Sequence, residues 1–252
     1  MLDHLNFQHI ICIDIETVPA WPDFDSVPED LKELYLKKSE RLKTPDEGVN
    51  EQYFNHAGIY AEFGKVICIS LGIFKKEKAT GELFFRVKSI YGDDEKKILL
   101  EFYDLLRQHY NRPSHFQFCG HNIREFDVPF LCRRMLINGI QLPAVLDISG
   151  KKPFEVTMLD TIQLWRFGDY KHFTSLKLLA AIFGIQSPKD DIDGKDVGKV
   201  YWTEKDLLRI VSYCQKDVVT VAQLMMRFKG LPLLEDSNIY VTVPEGLIDS
   251  RN

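Results

Sequence analysis

Long apolar runs are absent from this sequence. No stretch approaches the roughly 20 apolar residues that a membrane-spanning helix needs, and the opening MLDHLNFQHI lacks the basic region and apolar core of a secretory leader. No membrane partner is expected, and a cytoplasmic location follows. Cysteine is scarce as well: Cys12, Cys68, Cys119, Cys132 and Cys214 are odd in number, form no C-x-x-C pair and mostly sit in apolar runs. That usage argues against a disulfide framework or a zinc site and suits reduced core residues. Nor is there an excess of positive charge. A formal charge of −5 gives no overall attraction to nucleic acid or anionic lipid, so a polyanion would have to be met by a local basic groove. Repeats and low-complexity tracts are missing too.

What remains is a chain of 252 residues, 45% hydrophobic, enough for one sizeable core. A single domain over 1–252 is expected. Residues 8–15 read as a buried strand, followed by strands at 65–74 and 82–90 separated by the turn-like KKEKATG. These three suggest an antiparallel start. The polar stretch 19–63, with a helix at 29–42, reads as an insertion decorating the sheet. From residue 93 the pattern alternates: a helix at 94–110, a strand at 115–119, a helix at 124–139 and a strand near 155–160, the order of parallel crossover units. Helices at 174–184 and 203–228 follow, and the tail 230–252 carries no readable chemistry. The expected fold is α/β, a mixed five- to six-stranded sheet with flanking helices.

Chemistry is concentrated in three short stretches. In ICIDIETVP, residues 11–19, Asp14 and Glu16 are two apart on a strand and so share one face. Two like charges at about 4 Å repel by roughly 4 kcal/mol at an effective dielectric near 20, so one acid must hold its proton or a cation must sit between them. In GHNIREFDVPFLCRR, residues 120–134, Asp127 sits at the edge of the helix face marked by Phe126, Phe130 and Leu131. In SYCQKDVVTVAQL, residues 212–224, Tyr213 and Asp217 are four apart and stack on one helical face. Taken singly, the last two have ordinary readings as a solvated helix residue and a hydrogen-bonded pair. Together, the four carboxylates supply the all-oxygen shell that Mg²⁺ or Mn²⁺ prefers. Two such ions can activate water and hold a phosphodiester for in-line displacement.

The three motifs, in this order, resemble the DEDD superfamily of 3′ to 5′ exonucleases, whose members have a ribonuclease H-like fold. IDIET is similar to its first motif, HNIREFD to its second, and YCQKD to its third in the Y-x-x-x-D form. The sister branch has histidine five residues before that aspartate, where this chain has Ser212. The insertion, AEFGKVICIS and DIDGKDVGKVYW look most like the stand-alone bacterial group related to the proofreading domain of family-B DNA polymerases. The resemblance spans 8–228. It implies that Asp14 bridges two divalent cations, that Glu16 and Asp217 complete one site, and that Asp127 serves the other. Tyr213 would orient the attacking water; with a reference pKa near 10 it is a poor base. Thr17 would help hold the terminal nucleotide, and Asn122 and Phe126 would contact its sugar, its base or the following phosphate. The implied substrate is the 3′ end of single-stranded DNA or RNA, DNA favoured, with nucleoside 5′-monophosphates released. Protein partners are not indicated.

PKDDIDGKD, residues 188–196, is no EF-hand: aligning Gly194 with the required glycine puts Lys189 at the first ligand and Val200 at the last. His121 at a strand end suits a hydrogen-bonded structural role better than that of a ligand. A haloacid dehalogenase-like phosphatase would explain Asp14 but leave the Y-x-x-x-D helix without a purpose. A catalytically silent nucleic-acid-binding or polymerase-accessory module would be marked by loss of a carboxylate, and all four are present.

Overall fold

The computed structural model describes residues 2–42, 46–110, 115–171, 173–186 and 192–242. In chain order the elements are β1 (Ile10–Pro19), α1 (Glu29–Ser39), α2 (Val49–His56), β2 (Gly64–Lys76), β3 (Leu83–Tyr91), α3 (Glu95–His109), β4 (Gln117–Gly120), α4 (Asp127–Ile137), β5 (Leu159–Asp160), α5 (Thr161–Arg166), α6 (Leu176–Ile182), α7 (Val197–Lys199), α8 (Leu207–Phe228) and β6 (Ile239–Val241). Among the described residues these strands form one six-stranded sheet in the order β5-β4-β1-β2-β3-β6. β1, β2 and β3 are antiparallel, β4 and β5 run parallel to β1, and β6 pairs parallel with β3 at the far edge. The mixed sheet with antiparallel strands first and parallel crossovers after is the one expected.

Strand alternation sends the two faces of β1 into different cores. Ile11, Ile13 and Ile15 pack in a cluster with α3 and α4, including Leu99, Phe102, Val128 and Leu131. Ile10 and Cys12 pack on the other face with Phe85, Val218, Val221 and Ala222. The flanking helices are capped by side chains their sequences supply. Asp94 Oδ1 accepts from the amide of Lys97 at 3.2 Å, and Asp206 Oδ1 from that of Arg209 at 3.1 Å.

Gly72 of β2 lies opposite Cys12. A Cβ there would meet the Phe85 ring at 2.1 Å and Val218 Cγ1 at 2.7 Å. Glycine at this position is what lets α8 lie so close to the sheet.

Several boundaries differ from expectation. The strand expected near 155–160 is only Leu159–Asp160, and the long helix begins at Leu207, because Val197–Lys199 and the wider π-helical turn Val200–Glu204 form a separate irregular segment. The region 19–63 contains α1 and also α2, and it builds its own aromatic cluster of Tyr35, Tyr53 and Phe63. The tail contributes β6. Residues 188–191 of the acidic loop and 243–252 of the tail lie outside the described residues. No helix among the described residues is long and apolar enough to cross a membrane.

Candidate active site

Asp14 and Glu16 continue the Cys12 face of β1 toward α8, opposite Ser70 and Cys68 of β2. The pairing slips between Glu16 and Thr17, so that Thr17 lies opposite Val66; such a bulge locally twists a strand. The Thr17 hydroxyl donates to the Gly58 carbonyl at 2.8 Å. It therefore ties β1 to the insertion, a structural use of a residue read as part of a nucleotide floor.

From α8 come Tyr213, Cys214 and Asp217. The Cys214 thiol donates to Asp14 Oδ2 at 3.2 Å and approaches the Asp14 carbonyl at 3.5 Å. Ligand atoms of Asp14, Glu16 and Cys214 all lie within 4.8 Å of one another. Sequence reasoning placed Cys214 in the core, and it is fully buried, but its sulfur faces the acids. Its place beside Tyr213 in the third motif was the available signal. Burial holds the thiol well above its usual pKa, so it remains an S–H donor.

Asp127 is the first residue of α4, one turn later than a helix from 124 would put it. The preceding turn explains the delay. Asn122 has a left-handed backbone, φ 67°, and the Asp160 carboxylate accepts from the amides of Asn122 at 3.2 Å, Arg124 at 3.2 Å and Ile162 at 2.9 Å. Asp160 thus shapes the turn that delivers Asp127, a role that sequence reasoning missed, because its place ahead of Thr161 signals only a helix cap. Asp127 Oδ1 in turn accepts from the Ile15 amide at 3.2 Å. Phe126 is half-buried and packs on Phe130, with ring centroids 5.5 Å apart. His121 Nδ1 lies 2.8 Å from Thr161 Oγ1, and burial pushes its pKa down to about 4. It is a neutral, hydrogen-bonded residue, as expected.

Electrostatics couple the acids. Burial raises Asp14 well above the ordinary carboxylate range, and Asp127 and Asp217 raise it further. Glu16 is raised by burial, then by Asp14 and Asp217. Asp127 stands outside the close trio; burial, the largest effect, pushes it up to about 7 against the opposing bonds from its own amide and that of Ile15. Asp217 also stands outside the trio and is felt through its charge by Asp14, Glu16 and Tyr213. Burial and these same acids raise Tyr213, which keeps its proton at neutral pH.

Mutual repulsion among carboxylates that are buried, as Glu16 and Asp127 are, or half-buried, as Asp14 and Asp217 are, is the condition a divalent cation relieves, and hard oxygen donors suit Mg²⁺ or Mn²⁺. Asp14 and Glu16 are the oxygen donors close enough to share such an ion, and Asp127 and Asp217 add negative charge around them.

A family model described as a predicted 3′-5′ exonuclease related to the exonuclease domain of PolB matches residues 59–232. The match covers Asp127, Tyr213 and Asp217 and begins after Asp14 and Glu16. Comparison with curated proteins gives no match. Among solved structures, the chain is similar to the family B DNA polymerase from the hyperthermophilic archaeon Pyrobaculum calidifontis, at 16% identity and a TM-score of 0.49, over 86% of this chain and 24% of that one. This chain thus spans about a quarter of that polymerase's length.

Proposed function

The chain belongs to the family of predicted 3′-5′ exonucleases related to the exonuclease domain of PolB, and on that premise we propose that it hydrolyses phosphodiester bonds at the 3′ end of single-stranded nucleic acid, DNA in preference to RNA, releasing nucleoside 5′-monophosphates. We assign it to the branch with tyrosine in the third motif. The observation that supports this reading is the close approach of Asp14 and Glu16 of β1 to Cys214 of α8, with the charges of Asp127 and Asp217 raising Asp14 further. Asp14, Glu16 and Asp217 would hold one divalent cation, and Asp127 with Asp14 a second. Bound there, such ions supply Lewis acidity and a lowered pKa for water.

The chain's own groups do the rest. Cys214 fixes the Asp14 carboxylate through its S–H. Tyr213 retains its proton on Oη and can hold an attacking water or a phosphate oxygen by donating to it, a positioning role and not that of a base. Asn122 and Phe126 flank Asp127 and can meet the terminal nucleotide. Thr17, its hydroxyl committed to Gly58, would contribute through its main chain.

The test is release of labelled mononucleotide from a 3′-labelled oligonucleotide with Mg²⁺ or Mn²⁺, with Asp14→Ala and Asp217→Ala alongside. Loss of release in both variants is expected. Equal release by all three proteins would sink the mechanism. No release by any of them would leave a silent binding module.

A further inference from the structure

Three of the most exposed rings in the described structure fall within seven residues. Phe167, Tyr170 and Phe173 are 78, 77 and 64% exposed on the segment between α5 and α6. Rings left in water forgo the stabilisation that burial brings. Phe167 also sits in the left-handed region, φ 46° and ψ 33°, at the end of α5, where glycine is the favoured residue. Gly168 follows at φ 90°. Fold stability does not account for a strained backbone that holds a large ring in solvent.

The surroundings of these rings suit an anionic strand. The Arg166 guanidinium lies 5.7 Å from the Tyr170 ring centroid, Lys171 is exposed, and Arg124 is held by Gln163 at 2.7 Å. The acids nearby are Glu125, 3.8 Å from Arg166, Asp169, which accepts from the Lys171 amide at 3.0 Å, and the buried Asp160, committed to the amides of Asn122, Arg124 and Ile162. The Phe173 ring packs edge-on to His121 at 6.1 Å. The segment therefore borders the turn that runs from His121 to Asp127.

We propose that Phe167, Tyr170 and Phe173, with Arg166 and Lys171, form a platform on which the bases of a single strand stack while its 3′ end lies at the carboxylates. The proposal rests on the exonuclease reading above. Base faces are free in a single strand and covered in a duplex, so the platform selects single strands. Every base has such a face, so it does not select sequence. Lys171 meets the phosphates, and Arg166, whose side chain is mostly buried beside Glu125, backs the Tyr170 ring.

Binding of a fluorescein-labelled oligothymidylate, followed by anisotropy in EDTA, tests the platform without hydrolysis. Phe167→Ala, Tyr170→Ala and Phe173→Ala should each weaken binding by about tenfold or more, the span expected for one lost base stack. Phe154→Ala, at a residue 79% exposed on a different segment, should leave it unchanged, and none of the substitutions should alter binding of a blunt duplex. Unchanged affinity in the triple variant would overturn the proposal. So would a wild-type dimer that the triple variant converts to monomer in sedimentation, because the rings would then serve self-association. Hydrolysis by wild type with Mg²⁺ or Mn²⁺ is read separately, so failure of the exonuclease reading is distinguishable from failure of the platform.

Discussion

The amide of Ile15 donates to Oδ1 of Asp127 at 3.2 Å, joining positions 112 residues apart. Ile15 stands between Asp14 and Glu16, and its side chain faces the opposite core. The strand that carries two acids thereby sets the position of the third.

Asp127→Asn keeps an oxygen for the Ile15 amide and removes the charge. We expect the variant to fold, with an unchanged circular dichroism spectrum, and to lose hydrolysis by at least about 100-fold, since groups merely supporting a metal ligand are worth 10- to 100-fold. Full activity in this variant would remove Asp127 from the site.

The same substitution isolates a pH effect. In the unfolded chain Asp127 ionises near its ordinary value of about 4, whereas in the folded protein burial pushes it up to about 7. Between these limits the folded state binds more protons, so the stability present below about pH 4 is lost as pH rises toward 7. In EDTA, Asp127→Asn should gain in melting temperature relative to wild type between about pH 5 and pH 8. Mn²⁺ should close that gap by stabilising the ionised wild type. A difference between the two proteins that does not vary with pH would contradict the assignment.

Tyr213→Phe removes the hydroxyl and keeps the ring against the apolar cluster of Ile210, Val200 and Val18. Turnover should fall by about 10²- to 10⁴-fold, while Mn²⁺ affinity measured by calorimetry stays unchanged. Because Tyr213 is held above its usual pKa, the wild-type rate should show no tyrosine ionisation below about pH 10. A Tyr213→Phe rate equal to wild type would make the residue purely structural.

Gly72→Ala places a methyl group against Phe85 and Val218. Overpacking of this kind costs about 1–3 kcal/mol, which chemical denaturation would register. Val218 follows Asp217 on α8, so activity should fall further than the loss of folded protein explains. A variant as stable and active as wild type would show that α8 can move outward freely.

Much of this arrangement is legible in the sequence because periodicity and burial coincide there. The alternation of ICIDIET separates Ile11, Ile13 and Ile15 from Cys12, Asp14 and Glu16 as the two cores do. The four-residue spacing of Tyr213 and Asp217 becomes one helical stripe. What escapes sequence reasoning depends on long-range contacts or on very short elements. Nothing local tells that Asp160 holds the turn at Asn122, 38 residues away, or that Thr17 bonds across to Gly58. β6 has three residues and little periodicity to read. The irregular segment from Val197 to Glu204 carries no clean helical repeat, so its residues merge with those of α8 when read as sequence.

β1 lies inside the sheet, yet both of its edges are closed by segments synthesised later, β2 from Gly64 and β4 from Gln117. During synthesis IICIDIETVP therefore waits as an unpaired apolar strand, the kind of segment that templates aggregation. In that unfolded interval Asp14 and Glu16 are ordinary ionised carboxylates, and charges interrupting an apolar run oppose such pairing. The same two acids thus oppose mispairing of the nascent strand before burial raises them above the ordinary carboxylate range.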